Sequence, residues 1–175
     1  MKGPTLFWTV FVTGVLADQG VKAWVRDAIP QQGSIGGKPW PGIFEITLTY
    51  NEGIAFGMFQ GAGVFMSPVA LIIAGMAAVH SHRHASEPKL LHWTMGLFAA
   101  GAIGNLIDRL AFGKVTDMFW FRLINFPVFN VADSLITVGT FLLILTAFLS
   151  PTDAKKPVPA EPGREQDSNE TTTSA

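Results

Sequence analysis

The sequence contains no cysteine, a single tyrosine and few charged residues, which make up 14% of its 175 positions. The absence of cysteine excludes disulfide bonds, thiolate metal sites and cysteine nucleophiles, so any hydrolytic chemistry must use oxygen or histidine groups. So few charges cannot cover the surface of an ordinary soluble domain. The formal net charge of -1 provides no basic field, and we predict that nucleic acid is not a partner.

Apolar residues make up 49% of the chain and gather in four stretches. Each stretch approaches the ~20 residues with which a helix crosses a bilayer. They predict four membrane spans, at about residues 5–25, 64–79, 93–110 and 131–149. Gly96, Ala100 and Gly104 recur every four residues in the third span, and such small side chains let another helix approach closely.

Two of these spans have an alternative interpretation. The first resembles a cleavable signal peptide, because Lys2 precedes an apolar run that ends at the small residue Ala17. Helical character continues through Val25, however, and favours a retained span. The second is short enough for the buried helix of a soluble protein, but its neighbours provide no aqueous domain in which to bury it.

The segments between the spans predict a small sheet. Residues 44–50 alternate apolar and polar side chains without a break, which is typical of a half-buried strand. Residues 114–121 form a second, weaker β-prone segment. The Gly/Pro-rich residues 29–42 are predicted to be a connection and residues 51–53 a turn.

The C-terminal residues 151–175 differ in composition from everything before them. They are rich in Pro, Glu, Ser, Thr and Lys and contain no large aromatic residue. Such a segment cannot bury enough apolar surface to offset the entropy lost on ordering. We predict one transmembrane domain over residues 1–150, followed by a disordered cytoplasmic tail.

The polar residues of the spans gather at one end of the predicted bundle. A charged side chain costs about 2.5–3.5 kcal/mol at the centre of a span, so its position is informative. In an up-down bundle, one membrane face receives Asp18, Gln19, Lys22, Asn51, Asn105, Asp108, Arg109, Asn130 and Asp133. The opposite face receives Lys2, Arg83, Lys89 and the tail, and the positive-inside tendency predicts that this face and both termini are cytoplasmic.

Two groups of these residues have the spacing of a shared helical face. Asp18 and Lys22 are four residues apart and predict an ion pair, for which snorkelling at the membrane interface is the simpler alternative. Asn105, Asp108 and Arg109 also share one face, and hydrogen bonds that only join the helices would explain them equally.

For the other polar positions we also weigh a structural interpretation against a functional one. Asn130 and Asp133 suit the N-cap and the acidic first turn of the fourth helix, which requires no other role. Asp117 is an isolated acid among apolar, β-prone residues and calls for a partner or a function. His80, His82, His84 and His92 could suggest a metal site, but a flexible cationic connection explains them more simply.

At these positions the sequence resembles the lipoprotein signal peptidases, also called signal peptidase II, of the bacterial cytoplasmic membrane. The resemblance covers about residues 5–149 and rests on five motifs in the family's order. The motifs are Asp18 with Lys22, NEGIAFG at 51–57, GAIGNLIDR at 101–109, VTD at 115–117 and FNVADS at 129–134.

The resemblance implies an all-α membrane protein, a four-transmembrane-helix bundle with a small extracytoplasmic β-sheet, in the bacterial inner membrane with its active site near the outer face. It implies an aspartyl endopeptidase that works among membrane lipids, and we predict that the enzyme is a monomer and needs no metal or other cofactor. The implied reaction removes the signal peptide from diacylglyceryl-modified prolipoproteins, on the amino side of the lipidated lipobox cysteine.

The resemblance also assigns roles to individual residues. Asp117 and Asp133 match the catalytic pair. The positions that match substrate-binding or supporting residues are Asp18, Lys22, Asn51, Gly53, Asn105, Asp108, Arg109, Asn130 and Ala132. Since two neighbouring carboxylates do not both ionise easily, we expect a shared proton, with Asp117 as the acid and Asp133, near a helix N-terminus, as the base.

Two other classes of function remain open at this stage. A small transporter or channel subunit would carry its polar residues near mid-membrane on several helices, whereas here they gather at one end. An assembly factor without catalysis would leave the isolated Asp117 without a role.

Overall fold

The computed structural model describes residues 1–29, 31–53 and 63–149, most of which are helical. The helices are α1 (Gly3–Ala28), α2 (Met66–Arg83), α3 (Lys89–Phe112) and α4 (Val131–Leu149). The strands are β1 (Gly33–Trp40), β2 (Phe44–Asn51) and β3 (Val115–Trp120). Two short 3-10 turns occupy Gly63–Phe65 and Arg122–Ile124. The predicted tail and the boundary at residue 150 lie outside the described residues.

All four predicted helices are present, but the first three are longer than the apolar stretches that predict them. α2 continues through His80 to Arg83, and α3 begins at Lys89 rather than Trp93. A helix continues past its apolar stretch because backbone hydrogen bonding does not require apolar side chains. Local signals end it instead: α3 stops at Gly113, whose φ of 72° is the left-handed conformation that glycine adopts readily.

Helix α3 is central and packs against each of the other three helices. Its small residues Gly96, Ala100 and Gly104 face α1, which confirms the predicted close approach. A Cβ atom added at Gly96 would lie 2.9 Å from the carbonyl oxygen of Phe7 in α1. The backbones of α1 and α3 can therefore come close together.

Gly104 provides a test of this close packing. A Cβ atom added there would lie 2.5 Å from Asp18 Oδ2 and 3.3 Å from Ala132 Cβ. We expect Gly104→Ala to lower the free energy of unfolding by about 1–3 kcal/mol, because buried carboxylate and backbone must shift. Thermal unfolding of the purified protein in detergent measures this change.

Gly20→Ala is the matched control for Gly104→Ala. Gly20 is also helical, but an added Cβ atom there meets nothing within 4 Å. Because alanine is the better helix former, we expect this variant to be neutral or more stable by up to about 1 kcal/mol. Equal stability of the two variants would contradict the tight approach at Gly104.

The three strands form an antiparallel sheet in the order β1-β2-β3. β2 and β3 confirm the two predicted β-prone segments. Apolar side chains of Val25 and Ile29, at the end of α1, pack against Leu48 of β2 and Met118 of β3. This cluster fixes β3, which carries Asp117, beside the polar end of the helices.

The prediction that residues 29–42 form only a connection is wrong, because β1 lies within them. β1 is an exposed edge strand that pairs Gly33 with Leu48 and Trp40 with Phe44, with an irregularity between Ser34 and Pro39. Proline and glycine are tolerated at such an irregular edge, where one side of the strand makes no ladder hydrogen bonds. A neighbouring strand rather than local propensity creates this element.

Among the described residues, α3, with 24 residues, is the one helix that is both long and apolar enough to cross a membrane. The apolar part of α4, Val131–Thr146, is shorter. The predicted count of four spans thus stays a prediction.

Candidate active site

The structure brings the predicted polar residues together at one end of the molecule. They lie where α1 and α3 end, where α4 begins and along β3. The residues that take part in this connected group are Asp18, Lys22, Asn51, Gly53, Asn105, Asp108, Arg109, Asp117, Asn130 and Asp133. Ala132 contributes its backbone N–H to this group, and its side chain is fully buried.

Two asparagines connect Asp117 with Asp133. Asn130 donates from Nδ2 to Asp117 Oδ1 at 2.6 Å and to Asn105 Oδ1 at 3.1 Å. Asn105 in turn donates from Nδ2 to Asp133 Oδ1 at 2.8 Å. The two carboxylates, which come from β3 and α4, therefore belong to one hydrogen-bonded chain.

Asp133 is also held by the start of its own helix. Its backbone N–H donates to Asn130 Oδ1 at 2.9 Å, and its Oδ2 accepts the backbone N–H of Asn130 at 3.2 Å. This reciprocal pair is a capping box, which confirms the capping role of both residues. The capping box and the contact with Asn105 together fix both oxygens of the Asp133 carboxylate.

Asp117 lies in a strongly desolvated position. Its exposed fraction is 3%. Burial, and then the nearby negative charge of Asp133, raise the pKa of Asp117 to about 7, against the opposing hydrogen bond from Asn130. At neutral pH a substantial fraction of this carboxyl group therefore carries its proton.

Behind the two asparagines lies a fully buried ion cluster formed by Asp18, Lys22 and Asp108. Lys22 Nζ lies 2.9 Å from Asp18 Oδ2 and 3.5 Å from Asp108 Oδ2, and all three side chains have an exposed fraction of 0%. Lys22 also donates to Asn105 Oδ1 at 3.0 Å. The alternative of a snorkelling pair at the interface is wrong, because Lys22 points into the protein.

The two carboxylates of this cluster hold the backbone next to each candidate catalytic residue. Asp18 Oδ1 accepts the N–H of Ala132, one residue before Asp133, at 2.9 Å. Asp108 Oδ2 accepts the N–H of Thr116, one residue before Asp117, at 2.7 Å. The cluster thus joins the start of α4 and the start of β3 to the ends of α1 and α3.

Sequence reasoning did not assign a role in the site to Gln19 and Arg26, which extend this cluster. Gln19 donates from Nε2 to Asp18 Oδ2 at 3.0 Å and to the carbonyl oxygen of Gly104 at 3.0 Å. Arg26 donates to Thr116 Oγ1 at 2.9 Å and lies 3.6 Å from Asp108 Oδ1. Arg26 follows Lys22 at i+4, a spacing that could have indicated its place on this helical face.

Arg109 and the loop after β2 form another side of the site. Arg109 donates from Nη2 to the carbonyl oxygen of Gly53 at 3.5 Å, and the Gly53 N–H donates to Asn51 Oδ1 at 2.9 Å. Asn51 also hydrogen-bonds Asp117. The Nε atom of Arg109 is buried and has no hydrogen-bond partner among the described residues.

A cavity of about 810 Å³ opens beside these groups. Asp117 and Asp133 both line it, together with Asn51, Asn105 and Arg109. The rest of its lining is mostly apolar and includes Met66, Val69, Ile73, Phe121, Ile124, Phe126, Val128, Phe129, Ile136 and Val138. The arrangement places two carboxylates in contact with an apolar space between the helices and the sheet.

Solved structures share this fold. Two structures titled as bacterial membrane enzymes superimpose with TM-scores of 0.76 and 0.72, at 27% and 30% sequence identity. The first comparison covers 87% of this chain and 93% of the solved one, and the second covers 83% and 94%. The fold therefore places the chain among bacterial membrane proteins of this class.

The sequence comparisons are more specific. A family model for signal peptidase II matches residues 10–149. Lipoprotein signal peptidases from Gloeobacter violaceus and a Synechocystis species are 36% and 37% identical, over 91% and 89% of this chain and 90% and 94% of theirs. The Lactococcus lactis lipoprotein signal peptidase is 36% identical, over 83% of this chain and 95% of its own. The chain belongs to the signal peptidase II family and is a peptidase.

Proposed function

We propose that this peptidase removes the signal peptide from diacylglyceryl-modified prolipoproteins, cutting on the amino side of the lipidated lipobox cysteine, with Asp117 and Asp133 as its catalytic residues. The observation that supports this best is the pair of carboxylates, linked through Asn105 and Asn130, on the wall of one apolar cavity. An aspartyl mechanism needs two such groups that share a proton.

The environments of the two carboxylates suggest different roles. Asp117, whose pKa is raised to about 7, donates its proton toward the carbonyl oxygen of the scissile bond. Asp133 accepts hydrogen bonds from Asn105 and from the backbone N–H of Asn130 in the first turn of α4. It removes a proton from the attacking water, whose oxygen adds to the carbonyl carbon.

Collapse of the resulting tetrahedral species completes the reaction. The bond from carbon to the amide nitrogen breaks, and Asp133 gives the proton that it took from water to the leaving nitrogen. Asp117 recovers its proton from the gem-diol oxygen, so both carboxyl groups return to their starting states. Asn51 and Arg109 line the cavity with Asp117, Gly53 contacts both of them, and these residues would orient the substrate backbone.

The apolar lining supports the assignment of a lipidated substrate. Signal peptides carry an apolar helical segment, and two acyl chains on the cysteine add further apolar surface. Side chains from α2, α4 and the loop after β3 provide a matching wall, and Arg122 ties that loop to β2 by donating to Glu45 Oε1 at 2.8 Å. Removal of the acyl chains should therefore weaken binding strongly.

We place the enzyme in the cytoplasmic membrane as a monomer with four spans, both termini cytoplasmic and the site near the outer face. The outward faces of the helices support this arrangement, because they expose apolar side chains along their length. Examples are Trp8, Val12 and Leu16 on α1, Leu71, Ile72 and Met76 on α2, and Phe141, Ile144 and Phe148 on α4. The polar groups converge at one end instead of following a path across the bundle, which disfavours a transporter.

The direct test is cleavage of a synthetic lipobox peptide, with and without diacylglycerol on its cysteine, by purified enzyme in detergent. We expect wild type to cleave only the lipidated peptide and Asp133→Ala to cleave neither. Mass spectrometry of the products locates the cut bond. Equal cleavage of both peptides would refute the requirement for lipid, and no cleavage by folded wild type would refute the proposed reaction.

A further inference from the structure

A second groove lies at the opposite end of the molecule from the candidate active site. It has a volume of about 410 Å³ and follows one face of the C-terminal half of α2. Its lining residues are Gly75, Met76, Val79, His80, Arg83 and His84. None of these residues belongs to the cavity beside Asp117 and Asp133.

The chemical character of this groove changes along the helix. Its first part is apolar and open, since Met76 is 61% and Val79 50% exposed. Gly75 leaves a gap beside them, because a Cβ atom added there would meet nothing within 4 Å. The last turn of α2 then presents His80, Arg83 and His84. An apolar channel with a basic end suits a molecule that has an acyl chain and an anionic head.

The basic end retains unused hydrogen-bonding capacity. The Nε2 atom of His80 is buried and has no hydrogen-bond partner among the described residues. The imidazole of His84 stacks on that of His80, with 4.3 Å between ring centroids and 24° between ring planes. His84 Nδ1 lies 3.2 Å from the His80 carbonyl oxygen. Because a carbonyl only accepts, this nitrogen carries the proton and holds the His84 ring in place.

The guanidinium of Arg83 is the permanent charge of the groove. It is exposed and forms no ion pair with a carboxylate in the described part of the chain. Basic residues in a last helical turn also interact favourably with the helix dipole. The helix dipole explains why basic residues lie in this turn. It does not explain the open groove beside them or the His80 Nε2 atom that has no partner among the described residues.

We propose that this groove binds an anionic phospholipid of the leaflet that surrounds the C-terminal end of α2. Its phosphate accepts hydrogen bonds from the exposed Arg83 guanidinium and lies beside the stacked imidazoles of His80 and His84, and one acyl chain follows Met76 and Val79. Arg83 matches a phosphate well, because a guanidinium offers several donors in one plane. The proposal rests on the four-span arrangement and goes beyond the peptidase reaction.

The experiment compares lipid binding by delipidated full-length protein in detergent. Native mass spectrometry, with phosphatidylglycerol titrated against phosphatidylcholine, gives the apparent Kd of each. We expect wild type to prefer phosphatidylglycerol and Arg83→Gln to bind it about fivefold to tenfold more weakly. His80→Gln combined with His84→Gln should also weaken binding. Both variants should keep wild-type peptidase activity, which reports that they fold.

Lys89→Gln is the matched control. It removes one positive charge from the same end of the molecule, but Lys89 does not line the groove. Equal weakening by Lys89→Gln and Arg83→Gln would show only a diffuse charge effect and overturn the proposal. Competition by millimolar inorganic phosphate, or no preference for phosphatidylglycerol in active wild type, would also overturn it. Failure of these binding tests leaves the cleavage assay intact, so the two proposals fail separately.

Discussion

Replacing Asp117 by asparagine is expected to abolish peptide cleavage while leaving the protein folded and more stable at neutral pH. Asparagine keeps an oxygen that can accept from Asn130 Nδ2, which lies 2.6 Å from Asp117 Oδ1. It cannot deliver a proton to the scissile carbonyl. Because general acid-base groups contribute about 10²–10⁴-fold, we expect a loss of at least about 10³-fold in kcat/KM for the lipidated peptide.

The gain in stability follows from the raised pKa of Asp117, about 7 in the folded protein against an ordinary 3.8. Below about pH 4 the carboxyl group is protonated in both states, so it carries no ionisation penalty. As pH rises from about 4 to 7, the Asp117 carboxyl group ionises in the unfolded chain but stays largely protonated in the folded protein. Wild type therefore loses stability over this range. The loss, at most about 4 kcal/mol, is complete above pH 7.

Asp117→Asn avoids this loss, so its advantage in thermal stability should grow between pH 4 and pH 7 and then level off. Thermal unfolding in detergent across this pH range measures it. Asp27→Asn is the control, because Asp27 is an exposed residue of α1 that does not line the cavity. The control should keep wild-type activity. Cleavage by Asp117→Asn within tenfold of wild type would contradict its catalytic role.

Replacing Lys22 by methionine is expected to destabilise the protein by about 3–5 kcal/mol. Methionine has a similar length, so the main change is the lost charge. Asp18 and Asp108, both fully buried, would lose the ammonium group that lies 2.9 and 3.5 Å from them. Removing one partner of a buried ion pair is costly because the remaining charge cannot be solvated.

The same substitution should also reduce catalysis in the fraction that remains folded. Lys22 Nζ and Asn130 Nδ2 both donate to Asn105 Oδ1, which orients the Asn105 amide so that its Nδ2 faces Asp133. Without Lys22 one of these two constraints is gone. Thermal unfolding and the peptide cleavage assay measure the two effects on one preparation.

Two further variants test whether the effect of Lys22→Met comes from its buried ion pairs. Lys38→Met removes the same charge from an exposed position on β1, and we expect it to change the free energy of unfolding by less than about 0.5 kcal/mol. Lys22→Met combined with Asp18→Asn removes one unpaired carboxylate, so it should recover part of the lost stability. A Lys22→Met variant as stable as wild type would mean that this lysine is solvated at the interface after all.

The sequence predicts which polar residues gather at the site, but it does not predict whether they are buried or exposed there. The spacing of Asp18 and Lys22 predicts that they meet, because residues four apart share a helical face. Whether that face points to the interface or into the protein depends on the helix beside it. Here the absence of a side chain at Gly104 lets α3 approach, and the pair is enclosed.

Strand β1 is a part of the fold that the local sequence does not predict. Gly36, Gly37 and Pro39 lie within it, and local propensity disfavours a strand there. The strand exists because β2 offers a row of backbone partners, and a pairing partner is not visible in a local sequence window. β2 alternates regularly, and its prediction from residues 44–50 is confirmed.

The sequence by itself determined the four helices, strands β2 and β3, the family and the identity of the polar residues at one end. Local periodicity and side-chain chemistry carry this information along the chain. Only the tertiary structure decided that Lys22 is buried, and that Asp18 and Asp108 hold the backbone beside Asp133 and Asp117. These contacts join separate helices and strands, and their geometry exists only once the helices and the sheet have packed together.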